Sequence, residues 1–272
     1  MSLILYRVEK FITKRLKPKN IIYCLLKKCN SMIHGAISFP EYKGEIGFWE
    51  NWIPKTWKQI SKKESWEKIF PKALAEHIND FRKVNNNTVR ILEVGSGPAS
   101  LLAWSVHKNL CEIVAVDPLA KEYKRILDKY NYIYPIKPIV GKGESLLKLF
   151  KENYFDICYC SNALDHSKLP KKTIENMHKV TKNTGIIMLE GYINEGSIEG
   201  WQGLHKYNLF PQDEHLFCMN EKGELSNLTE KLQMKCEFKE IVRAEERAFG
   251  TPFVGDGNKD KLWFTIIFRK CG

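Results

Sequence analysis

Val89-Arg90-Ile91-Leu92-Glu93-Val94-Gly95-Ser96-Gly97-Pro98-Ala99-Ser100 decides the fold of this chain. The apolar, β-branched start reads as a buried strand, and two glycines break it just before a helix begins. Gly95 and Gly97 can take positive φ and bring bare backbone close to a ligand. Pro98 suits the first turn of a helix, where its missing N–H costs little, and the remaining free N–H groups of that turn can face a ligand. The plain alternative is a β-turn-α corner with nothing bound.

Outward from this loop, strand and helix patterns alternate. Strand 89–94 leads to helix 100–109, strand 112–116 to helix 119–130, strand 136–140 to helix 144–151, and strand 155–160 to helix 169–181, with a fifth strand at 185–193. Such alternation predicts a parallel sheet covered on both faces. Two later strands, 236–247 and 262–269, are expected to pair antiparallel at one edge. The fold class is thus α/β and Rossmann-like: a mostly parallel seven-stranded sheet with helices on both faces, an antiparallel edge strand and an N-terminal helical extension. Three segments are expected: a basic amphipathic stretch (1–35), an aromatic-rich helical cap (36–87) and the ligand-binding domain (88–272).

Two cofactors compete for the loop. A dinucleotide fingerprint needs a third glycine and an acid about 20 residues on that binds ribose. Asp117 supplies the acid, at the end of Cys111-Glu112-Ile113-Val114-Ala115-Val116, but Ser100 stands where the third glycine belongs. Glu93 would also set a carboxylate near a pyrophosphate, and like charges repel. S-adenosylmethionine carries no phosphate and bears a positive sulfonium and an ammonium group, so the acid beneath the loop points to that cofactor. Ligands of open α/β sheets bind at the carboxyl ends of the strands, where strand order reverses. Four strand ends carry suitable groups: the glycine loop, Asp117, the turn Val140-Gly141-Lys142-Gly143-Glu144, and Ser161-Asn162-Ala163-Leu164-Asp165-His166. Glu144 can border the adenine or merely favour the helix start that follows it.

Taken together, Glu93-x-Gly95-x-Gly97, Asp117, Phe155-Asp156 and Ser161-Asn162-Ala163-Leu164-Asp165-His166 resemble the class I S-adenosylmethionine-dependent methyltransferase superfamily over about residues 88–193. Asn162-Ala163-Leu164-Asp165-His166-Ser167, Asn194-Glu195-Gly196, Gly203-Leu204-His205 and Phe48-Trp49-x-x-Trp52 are further similar to a bacterial branch that methylates small molecules. The resemblance implies that Glu93, Gly95, Gly97 and Asp117, with Ser96 and Pro118 beside them, belong to the cofactor site. It also implies that Glu144 lies near the adenine, and Ser161 and Asn162 near the methionine part. Lys182-Asn183-Thr184-Gly185 stands where a proline-glycine turn is common in this superfamily, a departure that touches turn geometry only.

The cofactor brings the reactive methyl group, so the protein must align an acceptor behind it. A hydroxyl acceptor needs a base, and Asp165, His166 or His205 can serve; His166 can equally be a packing residue. Residues 194–208 are polar, glycine-rich and aromatic. Glu195, Trp201, His205 and Asn208 there are candidates for a polar acceptor pocket such as a saccharide needs, with Trp201 as the stacking face; an ordinary surface loop is the alternative. Phe48, Trp49 and Trp52 share a helix face and either pack on the domain or wall the pocket. No metal-ligand ladder is visible, and none is expected.

The chain has 272 residues and a net charge of +11. Arg7, Lys10, Lys14, Arg15, Lys17, Lys19, Lys27 and Lys28 against Glu9 place seven of those charges in the first 30 residues, so the body lacks the basic excess of a nucleic-acid-binding domain. Leu3, Ile4, Val8, Phe11, Ile12 and Leu16 make residues 2–16 an amphipathic basic helix, which can dock on the domain, bind a partner or lie at an anionic membrane face. Eight cysteines without a C-x-x-C pair read as reduced, and no apolar run reaches the roughly 18–20 residues of a membrane span. A cytoplasmic protein is expected, with or without peripheral contact at the inner membrane face through residues 1–30. The expected function is methyl transfer to a small polar acceptor. RNA or protein methylation, and a non-catalytic partner-binding subunit of the same fold, are the alternatives.

Overall fold

The computed structural model describes residues 40–62, 64, 65, 67, 70–85, 88–246 and 261–272. The basic amphipathic helix expected at 2–16 lies outside the described residues, so the readings placed on it go no further.

The elements run α1 (Pro40–Ile60), α2 (Lys72–Asn85), β1 (Val89–Val94), α3 (Ala103–His107), β2 (Cys111–Asp117), α4 (Ala120–Lys129), β3 (Ile139–Val140) and a 3-10 turn (Gly143–Lys148). They continue through β4 (Phe155–Ser161), α5 (Pro170–Val180), β5 (Thr181–Tyr192), α6 (Glu195–Ile198), β6 (Tyr207–Gln212), β7 (His215–Asn220), β8 (Leu225–Asn227), β9 (Met234–Arg243) and β10 (Leu262–Lys270). Seven strands form the main sheet in the order β3-β2-β1-β4-β5-β10-β9. β1 to β5 are parallel, and β10 runs antiparallel to both β5 and β9. The two late strands therefore pair antiparallel at one edge as the sequence suggests, with the last strand inserted inside the one before it. Strand order reverses between β1 and β4, which puts the ligand crevice at their carboxyl ends.

The central strands bury both faces, because successive side chains point to opposite sides of a strand. On β4, Cys158 and Cys160 join one core with Ile174, Met177 and Val180 of α5, while Ile157 and Tyr159 join the other with Leu74 and Ile78 of α2. A third cluster joins Ile53 and Trp57 of α1 to Tyr123, Ile126 and Leu127 of α4. Both halves of the aromatic-rich segment thus pack within the same compact unit as the sheet, Glu41–Gly272.

Several elements differ from the sequence expectation. The helix expected at 100–109 shrinks to Ala103–His107. The strand expected at 136–140 forms only at Ile139–Val140 on the sheet edge, since Pro135 and Pro138 have no N–H to give a ladder. The helix expected at 144–151 is a 3-10 turn broken at Ser145, whose φ is −138°. The antiparallel sheet β6-β7-β8 was absent from the sequence reading; Pro211 interrupts the alternation, and the turn Asp213-Glu214 closes the hairpin with Asp213 at a φ of 51°. Among the described residues no helix is long and apolar enough to cross a membrane.

Candidate active site

A cavity of about 690 Å³ opens at the carboxyl ends of β1, β2, β4 and β5, a volume that suits a small-molecule site. The glycine loop forms its floor. The Gly95 and Ser96 N–H groups donate to the Val116 carbonyl at 2.8 and 3.3 Å, and the Gly97 N–H donates to Asp117 Oδ2 at 3.0 Å. Gly95 has a φ of 71°, and a Cβ there would sit 2.4 Å from the Ala163 Cβ. Loop β1 and the loop after β4 can approach this closely only because residue 95 has no side chain. At Gly97 (φ 61°) an added Cβ would lie in van der Waals contact with the Trp49 indole, 3.5 Å from its Cζ2.

Asp117 is buried and also accepts the Leu119 N–H at 2.7 Å. Burial pushes its carboxyl up to about 7, with Glu45 and Glu122 adding to the rise against the two N–H bonds. Pro118 and Leu119 continue this wall. Glu93 lies beneath the loop, as the sequence reading has it, and does not itself line the cavity. It is fully buried there and accepts the Ser100 hydroxyl and the Leu101 N–H at 3.1 Å. Burial raises it to about 7. It braces the turn from below and makes no cavity surface.

Glu144 lines the cavity, and its Oε1 accepts the Ser167 hydroxyl at 2.8 Å and the Lys168 N–H at 2.9 Å. It ties the turn after β3 to the loop after β4. At the end of β4, Ser161 donates to Glu190 Oε1 at 2.8 Å, and the Tyr159 hydroxyl donates to the same oxygen at 2.5 Å. Asn162 takes a left-handed φ of 46°, its N–H donating to the Glu190 carbonyl at 2.8 Å and its Oδ1 accepting the Tyr192 N–H at 3.3 Å. Glu190 thereby holds both residues at the strand end. Sequence reasoning missed it, although a lone acid inside the apolar strand Gly185–Ile193 marks it. Asp156 works at the opposite end of the sheet, accepting the Arg90 N–H at 2.9 Å and Lys182 Nζ at 2.6 Å.

The turn after β4 and the loop after α6 meet where Lys206 N–H reaches the Asp165 carbonyl at 3.4 Å. That contact gathers Asp165, His166 and His205. Asp165 Oδ2 lies 2.8 Å from His205 Nδ1 and 3.4 Å from His166 Nε2, and the two ring nitrogens are 3.2 Å apart. Asp165 is buried behind the two rings, which line the cavity. Burial alone would raise the Asp165 carboxyl, but the charges of His166 and His205 outweigh it and hold it below the usual range. For His205, burial opposes protonation, yet the bond and charge of Asp165 outweigh it and raise the ring. The sequence singles out all three as acceptor-side candidates; that they touch one another is what the structure adds, since residue 205 stands 40 positions from 165.

Glu195 and His205 reach the cavity, but two neighbours do not. Trp201 packs over Gly196, where a Cβ would meet its ring at 2.8 Å, and Asn208 Oδ1 is taken by the Ser197 N–H at 2.8 Å. The aromatic faces at this end are instead Tyr192 and Trp263, edge to face at 4.9 Å. At the other end Trp49 lines the cavity and donates to Glu45 Oε1 at 2.6 Å, whereas Trp52 packs behind it. Glu45 was not foreseen, being one acid on an otherwise aromatic helix.

Residues 92–189 match the methyltransferase-domain family. This segment is a methyltransferase domain of the class I S-adenosylmethionine-dependent superfamily, and S-adenosylmethionine is its cofactor. A search of curated protein sequences returned no match. Among solved structures, the chain is similar to the [4+2]-cyclase SpnF at 15% identity and a TM-score of 0.45, over 73% of this chain and 80% of that one. It is similar to the Burkholderia thailandensis 1,6-didemethyltoxoflavin-N1-methyltransferase at 10% identity and a TM-score of 0.43, over 87% and 92% of the two chains. It is likewise similar to a S-adenosylmethionine-dependent methyltransferase of Methanosarcina mazei at 15% identity and a TM-score of 0.42, over 68% and 93%.

The donor set fits this cofactor. Asp117, Glu45 and Glu144 all line the cavity, acids that suit a cationic nucleoside and repel a pyrophosphate. Gly97 offers bare main chain, at a φ of 61°, beside the Trp49 indole that also lines the cavity.

Proposed function

We propose that this protein transfers a methyl group to a hydroxyl of a small polar acceptor, a saccharide or a related metabolite. The observation that supports it most is the position of the Asp165–His166–His205 group on the wall of the same cavity as the glycine loop and Asp117. S-adenosylmethionine supplies the methyl sulfonium. Asp117 accepts hydroxyl protons of the cofactor's ribose, and the backbone from Gly95 through Gly97, Ser96 included, carries the nucleoside. Pro118 and Glu144 border the adenine side, and Ser161 and Asn162 hold the methionine end. Buried beneath, Glu93 keeps the loop in register.

On the acceptor side, Tyr192 and Trp263 offer flat apolar faces, and Glu195, Glu199 and Lys261 offer polar ends. That mixture suits a ring bearing many hydroxyls. S-adenosylmethionine, when bound, would give its methyl group to the acceptor oxygen with loss of the methyl–sulfur bond, and the hydroxyl proton would pass to the Asp165, His166, His205 and Glu195 group. A group held in bonding reach of that proton typically contributes 10²–10⁴-fold in rate.

Calorimetry with S-adenosylhomocysteine tests the cofactor half. We expect one site in the wild type and about a hundredfold weaker binding in Asp117→Ala, since a carboxylate accepting two hydroxyls is worth about 3 kcal/mol; unchanged binding in the variant ends this assignment. Methyl transfer from labelled cofactor to a panel of free sugars, sugar nucleotides, amines and carboxylates tests the acceptor half. Labelling confined to amines or carboxylates removes the hydroxyl reading.

A further inference from the structure

Asp165 Oδ2, His166 Nε2 and His205 Nδ1 form a triangle with sides of 2.8, 3.2 and 3.4 Å. A relay of hydrogen bonds accounts poorly for it. His205 Nδ1 faces both other atoms, and a ring nitrogen has one in-plane site, carrying either a proton or a lone pair. If it donates to Asp165, it turns an N–H toward His166; if it accepts from His166, it turns a lone pair toward a carboxylate. One cation facing all three atoms resolves both conflicts. Ligands about 2.1 Å from a common ion lie about 3.0 Å apart at right angles and about 3.4 Å apart in a tetrahedron, so an ion about 1 Å above this triangle reaches all three.

A second observation points to the same place. Glu195 is 6% exposed, and its Oε2 is buried without a hydrogen-bond partner. It lines the cavity and feels the charges of Asp165 and His205. A buried carboxylate oxygen left unpaired is costly unless something charged arrives beside it.

We propose that Asp165, His166 and His205 bind a divalent first-row transition ion, with its open positions toward the cavity and Glu195 alongside. Two imidazoles and one carboxylate on one face are the ligand set of open Zn²⁺ and Fe²⁺ sites. The ion's place in catalysis rests on the methyl-transfer reading above; its binding does not. Asp165, His166 and His205 would hold the ion, which would supply Lewis-acid activation of an acceptor hydroxyl at its open positions. With those three side chains engaged as ligands, Glu195 alone of the group would take the hydroxyl proton as the oxygen–methyl bond forms and the methyl–sulfur bond breaks.

The test uses the full chain, stripped with chelator and titrated with Co²⁺, with Zn²⁺ as competitor and Mg²⁺ as control. We expect one equivalent of Co²⁺ with visible d–d absorption, displaced by Zn²⁺ and not by Mg²⁺. His166→Ala and His205→Ala should each weaken binding at least about a hundredfold while far-UV circular dichroism and S-adenosylhomocysteine binding persist. Asp165→Asn should weaken it too, and because its shape is conserved it covers the case of an unfolded alanine variant. No Co²⁺ binding, thiolate charge-transfer bands, or affinity unchanged in the folded variants overturns the site. Failure here with S-adenosylhomocysteine still bound leaves the methyl-transfer reading standing; loss of S-adenosylhomocysteine binding with Co²⁺ retained does the reverse.

Discussion

Glu93 and Asp117 are two carboxyls 24 residues apart in sequence that burial pushes to about the same value, about 7, for different ends. Asp117 faces the cavity, whereas Glu93 serves the loop from beneath. Because Glu93 is raised from 4.5, the folded chain keeps a proton that the unfolded chain releases between about pH 4.5 and 7. Its contribution to stability is therefore greatest at low pH and declines as pH rises toward 7. Glu93→Gln removes that decline while keeping an oxygen for the Leu101 N–H and leaving an amide to face Ser100. The stability difference between variant and wild type, read from urea midpoints, should shift in favour of glutamine from pH 5 to pH 8. A difference that stays constant across this range means that Glu93 is charged throughout. The acid and both glycines were legible in the sequence, since spacing alone selects them. Its place beneath the loop was legible too, but its partners Ser100 and Leu101 were not, because a motif gives the identity of a residue and not the donors its carboxylate meets.

At the scale of the element, α1 is the aromatic helix whose purpose the sequence left open between packing and pocket. The structure divides it by face: Ile53 and Trp57 belong to the core shared with α4, while Trp49 turns its ring over Gly97. Trp49 is held there by edge contacts to Phe48, Trp52 and Tyr123 and by its bond to Glu45. A ring so fixed loses little freedom when a cofactor arrives beneath it. Trp49→Ala should weaken S-adenosylhomocysteine binding about tenfold, or ~1.4 kcal/mol, with a smaller loss in Trp49→Phe. Calorimetry reads both, and equal affinity in all three proteins would make Trp49 a packing residue only. Helical periodicity shows which residues share a face but not which neighbour that face meets. The acceptor loop was hidden for a related reason: Trp201 and Asn208 have the residue types of a sugar pocket, yet α6 and β6 use them internally.

The main sheet buries both of its faces, and β10 is placed between the earlier strands β5 and β9, so chain order and spatial order part there. The parallel half was legible because each strand is followed by its helix. The place of β10 was not, since antiparallel pairing with β5 on one side and β9 on the other leaves no mark in strand composition. Its apolar run has a meaning in this position: Ile266 and Ile267 are both fully buried, the first in the core beneath α5 and the second in the core beneath α2. Each Ile→Ala truncation should cost about 2–5 kcal/mol, through lost burial and an unfilled cavity. The two side chains point to opposite faces and share no cavity, so a rigid sheet between them keeps the losses independent. Denaturant unfolding of the two single variants and the double variant should give costs that add within about 0.5 kcal/mol. A coupling above about 1 kcal/mol would mean that the strand shifts to absorb one cavity and carries the strain to the other face. The ligand crevice depends on the same rigidity, because β5 both pairs with β10 and ends in the Tyr192 that lines the acceptor side. Variants that show such coupling should also lose S-adenosylhomocysteine affinity, and additive ones should keep it.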